Sequence, residues 1–151
     1  KKNRDFEKMK RISQWTREAG IETRAGFLVG LPGETPELAK KTIQTAIDLD
    51  PDYAQFTVCC PYPGTKLANE IHEGKWGKFL THELKEYNMW NVTWLPFGYK
   101  NAEELKNMER YAFRKFYLRP SYIIKRIMKI RRFEDIKRYI KGGAALVRGF
   151  L

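Results

Sequence analysis

Two runs of β-branched, aromatic and small residues, 21–30 and 53–60, flank a single helical stretch, and this constrains the fold more than any other feature. Strands about 30 residues apart with a helix between them are joined by a crossover and run parallel. The first run, ending Ala25-Gly26-Phe27-Leu28-Val29-Gly30, is too apolar and too rich in glycine for a helix. It predicts a strand buried on both faces, as parallel strands are. The second run, from Tyr53 to Cys60, is aromatic and β-branched throughout its middle.

Residues 6–19 read as an amphipathic helix, with Phe6, Met9, Ile12, Ser13 and Trp15-Thr16 near one face and Gly20 as its stop. Between the strands, Thr35 is the expected N-cap, Pro36 suits the first helical position and Glu37 complements the first turn. That helix is expected to reach Leu49 with Leu38, Thr42, Ile43, Ala46 and Ile47 inward, where Asp50-Pro51-Asp52 breaks it. A short helix follows at 66–72, then an irregular stretch at 74–100 containing Trp76, Trp90 and Trp94. Asn101 opens a helix over 102–117 with Leu105, Met108, Ala112, Phe113 and Phe116 as its core stripe. Basic amphipathic helices are expected at 122–130 and 133–148. Two strands make a poor sheet by themselves. The predicted class is therefore α/β: the last strands of a TIM-like βα barrel in 1–73, a Trp-containing cap segment in 74–100 and a basic helical region in 101–151.

At 42% hydrophobic residues the chain can bury a core. Of its 29 Lys/Arg, 13 fall between Arg110 and Arg148, where only two of the 18 acids lie, so this stretch carries the whole net charge of +11. No apolar run approaches the ~20 residues of a membrane span, and no signal-peptide pattern is visible. The expectation is a cytoplasmic protein, an excised piece of a longer chain, with a peripheral membrane contact left open. Cys59 and Cys60 are adjacent, which disfavours a structural disulfide and cannot make a metal centre alone.

Ligands of parallel βα folds bind beyond the C-terminal ends of the strands, and two conspicuous loops lie there. By period two, Gly26, Leu28 and Gly30 share one face, and the missing side chains at the glycines leave room for a flat group against Leu28. Pro32-Gly33-Glu34 follows; Gly33 lets backbone approach a ligand. This is not a P-loop, because Glu34 stands where that motif needs lysine. In the second loop Pro61 and Pro63 fix the backbone and Gly64 permits unusual torsions. A Gly-Leu-Pro-Gly turn is also common loop chemistry with no ligand at all.

Taken in order, Phe27-Leu28-Val29-Gly30-Leu31-Pro32-Gly33-Glu34-Thr35, Thr42-Ile43, Asp52, Phe56 and Pro61-Tyr62-Pro63-Gly64-Thr65 resemble the fifth and sixth strands of radical S-adenosylmethionine enzymes. The segment from Ala112 to Tyr122 resembles the C-terminal region of the subgroup with a cobalamin-binding domain, similar to the anaerobic magnesium-protoporphyrin IX monomethyl ester cyclase. The resemblance implies that Gly26, Leu28 and Gly30 flank the adenine of S-adenosylmethionine. It implies that Pro32, Gly33 and Glu34 line the same site, with Glu34 one place later than the family's glutamate. Cys60, Pro61 and Tyr62 match the backbone that meets the adenine edge. It also implies a 4Fe-4S cluster, and cobalamin in the subgroup, in the whole enzyme. The Cys-x-x-x-Cys-x-x-Cys loop that holds such a cluster is absent from these 151 residues. The expectation is accordingly an iron–sulfur oxidoreductase, cyclase or methyltransferase acting on a small organic substrate, of which this piece alone is inactive, without catalytic residues of its own and without bound cofactor. Its partners would be the N-terminal half of its own barrel and, through exposed strand edges, further copies of itself.

Other readings stay open. His72 and His82 lack a second ligand at metal spacing and read as surface residues. Trp90 and Trp94 suit either a substrate pocket or the core. The basic tail suits a solvated helical face, an RNA contact or an anionic membrane, with Tyr122, Ile123, Ile127, Ile130, Phe133, Ile136, Tyr139 and Ile140 at helical spacing. A radical tRNA-modifying enzyme and a non-catalytic basic binding module are the rival functions.

Overall fold

The computed structural model describes residues 6–88 and 90–130. The predicted helix at 133–148 lies outside them. The order is α1 (Phe6–Glu18), β1 (Arg24–Val29), α2 (Pro36–Leu49), β2 (Tyr53–Val58), α3 (Lys66–His72), β3 (Gly77–Phe79), β4 (Trp94–Pro96), α4 (Ala102–Tyr117) and α5 (Pro120–Met128). Among the described residues this is a mixed α/β arrangement of two small sheets with no closed barrel.

β1 and β2 pair in parallel from Arg24↔Tyr53 to Val29↔Val58, with α2 as the crossover. Local chemistry sets the ends of α2. The Thr35 side chain accepts a hydrogen bond from Leu38 N, Pro36 opens the helix, and Asp50 closes it in the left-handed region at φ 44°. Ala39, Ile43, Ala46 and Leu49 are its buried residues, whereas Leu38 is exposed. Ile43 and Ala46 of the expected inward stripe are buried and Ile47 packs partly buried against the core, while Leu38 lies outside it and Ala39 and Leu49 join it.

One face of the sheet is covered. Ala54, Phe56 and Val58, with Val29 and the partly buried Phe27, meet α2 and α4 in a single core that includes Leu105, Met108, Ala112, Phe113 and Phe116. Phe56 anchors it, with ring centroids 5.4 Å from both Phe27 and Phe113. The Tyr117 hydroxyl clips α4 to the strand, donating to Ala54 O at 2.7 Å and accepting from Ala54 N at 3.1 Å. The other face is open: Arg24, Gly26 and Leu28 are exposed, Leu28 by 46%. This corrects the expectation of a strand buried on both sides. A parallel sheet needs a second layer, and no described element supplies it.

The 74–100 stretch is not wholly irregular, because β3 and β4 form an antiparallel pair within it. Their register, Gly77↔Pro96 to Phe79↔Trp94, pins Trp94 into a second core with Cys59 and Ile71. α1 packs against α2 without burying any residue. The last described helix begins at Pro120, two residues before the expected start, since proline suits a first helical position. It docks on the N-terminal ends of the strands. Asp52 O accepts from the Tyr122 hydroxyl at 2.9 Å and from Arg126, and the Asp52 carboxylate accepts from Lys129 at 2.6 Å.

Candidate functional site

Both loops that the sequence singles out emerge side by side, because parallel pairing puts the C-terminal ends of β1 and β2 at one edge. The chain leaves β1 through Gly30, at φ 72°, a conformation glycine adopts without strain. Gly30 does not open onto the free face with Gly26 and Leu28. A Cβ there would lie 2.9 Å from Leu105 Cδ1, so α4 fills that space. Gly26 is different: a Cβ would meet nothing within 4 Å. The open strip therefore runs over Gly26 and Leu28, continued on β2 by their register partners Gln55 and Thr57.

Glu34 turns back into its own loop. It is buried, and its carboxylate accepts from Gly30 N, from Leu31 N at 3.4 Å and from the Tyr99 hydroxyl at 3.3 Å. Burial pushes its pKa up against the lowering effect of those three donors. Such a carboxylate stitches the loop together through its Oε2. Pro32 is half-buried, while Gly33 sits exposed at φ 73° with the Trp76 ring 3.9 Å from where a Cβ would be.

The second loop is held as firmly. Cys59 N donates to Val29 O at 2.8 Å, extending the pairing past β2, and Trp94 Nε1 donates to Cys59 O at 2.8 Å. Cys60 Sγ lies 3.7 Å from Thr93 Oγ1, Pro61 is buried, and Tyr62 stays exposed near Tyr87, ring centroids 6.3 Å apart. Thr65 closes the turn by donating to Tyr62 O at 2.7 Å and then caps α3. The Cys59 thiol is pushed up to about 11 by burial, with the Cys60 and Glu34 charges adding to it. It is an inert packing thiol.

The structure thus brings Gly26 and Leu28 to the open strip, with the Pro32–Glu34 turn and the turn at 60–62 side by side at its end. It removes Gly30 to the core. Trp94 is buried and so belongs to the core, while Trp90 is exposed. His72 and His82 are both exposed, stack on each other with ring centroids 5.7 Å apart and meet Phe79 at a tilt, and no three His, Cys, Asp or Glu among the described residues group to hold a metal. Tyr99, Gly98 and Thr93 were not foreseen. Gly98 packs so closely on the Glu34 carbonyl that a Cβ would overlap it. Nothing local marks these residues, since their partners lie far away in the sequence.

No protein-family model matches the chain. It is similar to an uncharacterized methyltransferase of Pyrococcus horikoshii, 36% identical over 128 residues that make up 82% of this chain and 26% of that protein. It is also similar to the anaerobic magnesium-protoporphyrin IX monomethyl ester cyclases of Rubrivivax gelatinosus and Cereibacter sphaeroides. The first is 28% identical over 122 residues, 81% of this chain and 21% of the cyclase. The second is 31% identical over 103 residues, 68% of this chain and 16% of the cyclase. The chain therefore spans about a quarter or less of each relative.

Proposed function

We propose, from these similarities to a methyltransferase and to ester cyclases, that the chain is the closing part of the barrel of a radical S-adenosylmethionine enzyme acting on a small organic substrate. The observation that carries this reading is the open strip over Gly26 and Leu28, ending beside the preset turn at 60–62. A flat purine fits there: its face on Leu28, its edge along the backbone beyond β2, and no Cβ at position 26 to displace it. S-adenosylmethionine bound in this way would supply, in the whole enzyme, a carbon radical able to abstract hydrogen or a methyl group to transfer.

This chain's own residues bind and orient. Trp94 and the buried Pro61 fix the backbone that meets the adenine edge, and the Glu34–Tyr99 contact fixes the turn beside it. Glu34 Oε2 is spent on Gly30, Leu31 and Tyr99, so in this reading Glu34 holds the turn beside the purine. The described residues offer no iron–sulfur ligand set. Of the basic stretch on which a tRNA reading rests, Arg119, Lys125, Arg126 and Lys129 are tied to Asp50 and Asp52, at the opposite ends of the strands from the strip, and positions 131–148 lie outside the described residues.

The test is the reading frame upstream of Lys1 together with a Gly26→Val variant of the protein it encodes. An upstream Cys-x-x-x-Cys-x-x-Cys loop, and loss of 5′-deoxyadenosine release at unchanged iron content in the variant, support the proposal. A start codon at Lys1 sinks it. Tight calorimetric binding of S-adenosylmethionine by the 151-residue chain alone would show that the site is complete here and wrongly placed.

A further inference from the structure

α5 is an amphipathic helix packed with its charged side inward. Tyr122, Lys125, Arg126 and Lys129 turn toward the strand ends, where Asp50 and Asp52 receive the three cations. The opposite side carries Ile123, Ile124, Ile127 and Met128, exposed by 42%, 56%, 60% and 78%. Neighbouring Leu118, at the end of α4, is exposed as well. A surface helix ordinarily does the reverse, and a contiguous apolar face of this kind marks an interaction site.

Charge indicates what meets it. Beside this face, Arg114, Lys115, Arg119, Pro120 and Ser121 line an open cleft of about 470 Å³ against α2, and Arg114 and Lys115 are exposed. In sequence, the helix is followed by Arg131, Arg132, Lys137, Arg138, Lys141 and Arg148 against only Glu134 and Asp135. Apolar side chains flanked by cations match an anionic bilayer, where isoleucines enter the acyl boundary and Lys/Arg meet headgroup phosphates. A nucleic acid would need the cations and not the isoleucines.

We propose that the exposed face of α5, with the Arg114–Lys115 cleft beside it, docks the protein on an anionic lipid bilayer. The helix lies in the interface and does not span; no described helix is long and apolar enough to cross. The proposal is independent of the S-adenosylmethionine reading, because α5 sits at the other ends of the strands.

The experiment is co-sedimentation of the whole 151-residue chain with vesicles of phosphatidylcholine alone or mixed with phosphatidylglycerol. Binding to the mixed vesicles only, weakened by rising salt, is expected. The double variant Ile124→Glu/Ile127→Glu, changed only at exposed positions, should bind about tenfold less with an unaltered circular dichroism spectrum. Lys115→Glu should weaken binding to a smaller degree. No binding to either vesicle overturns the proposal, as does equal binding to both. A discrete dimer by light scattering that the Ile→Glu changes dissociate, without vesicle binding, assigns the face to a second copy instead. RNA binding that survives the Ile→Glu changes and displaces the vesicles assigns the charge to nucleic acid.

Discussion

The Tyr99 hydroxyl donates to the buried Glu34 carboxylate at 3.3 Å, joining the loop beyond β1 to the segment beyond β4 across 65 positions of sequence. Gly98 makes that approach possible, because its missing Cβ lets the segment lie against the Glu34 carbonyl. Replacing Glu34 by alanine strands the Gly30 and Leu31 amides and the Tyr99 hydroxyl. Urea denaturation should show a loss of about 2–3 kcal/mol, against about 1 kcal/mol for Tyr99→Phe.

Two glycines should separate fold from site. Gly98→Ala forces backbone against backbone and should cost at least about 3 kcal/mol in denaturant unfolding. Gly26→Ala meets open space and should leave stability unchanged or raise it by about 0.5 kcal/mol. If both variants unfold alike, the strip over Gly26 is not open.

Asp52 ties α5 to the sheet. Burial works to raise its pKa, but Lys129, the Thr23 amide and the Arg126 charge outweigh that and hold it below the ordinary 3.8. A depressed carboxyl contributes stability above its unfolded pKa and loses it as pH falls through the folded one. Acid should therefore loosen α5 early, visible as faster amide exchange over residues 120–128. Asp52→Ala, which leaves Arg126 and Lys129 without that carboxylate, should cost about 3 kcal/mol at neutral pH.

Glu109 has the opposite sign. It is fully buried on α4, with Lys106 Nζ 2.5 Å away and no hydrogen-bond donor on Oε1. Burial raises its pKa above 4.5 despite Lys106 and Arg110. Its contribution is complete below the unfolded pKa and is lost as pH rises through the folded value. Glu109→Gln should flatten the pH dependence of stability on the neutral side and match wild type near pH ~4. A wild-type denaturation midpoint that rises from mildly acidic to neutral pH while that of Glu109→Gln stays level would contradict this.

The adjacent cysteines should react unequally. With Cys59 buried and its thiol pushed up to about 11, iodoacetamide at neutral pH should label Cys60 first, as peptide mass mapping would show.

The β-α-β unit was legible because its signals are local. Thr35 caps, Pro36 starts and Asp50 ends α2 through contacts within four residues, and the apolar runs set β1 and β2. The Thr65 cap of α3 and the Asn101 cap of α4 are equally short-range. So the sequence by itself determined the described helices, the parallel pair and the two loops brought together at one edge. Tertiary structure decided which face each element presents. Leu105 from α4 takes the space beside Gly30, Tyr99 takes the Glu34 carboxylate, and Asp50 and Asp52 draw the cations of α5 inward so that its isoleucines face out. Periodicity fixes which side chains share a face, but which face is buried depends on partners distant in the chain, whose positions no local pattern encodes.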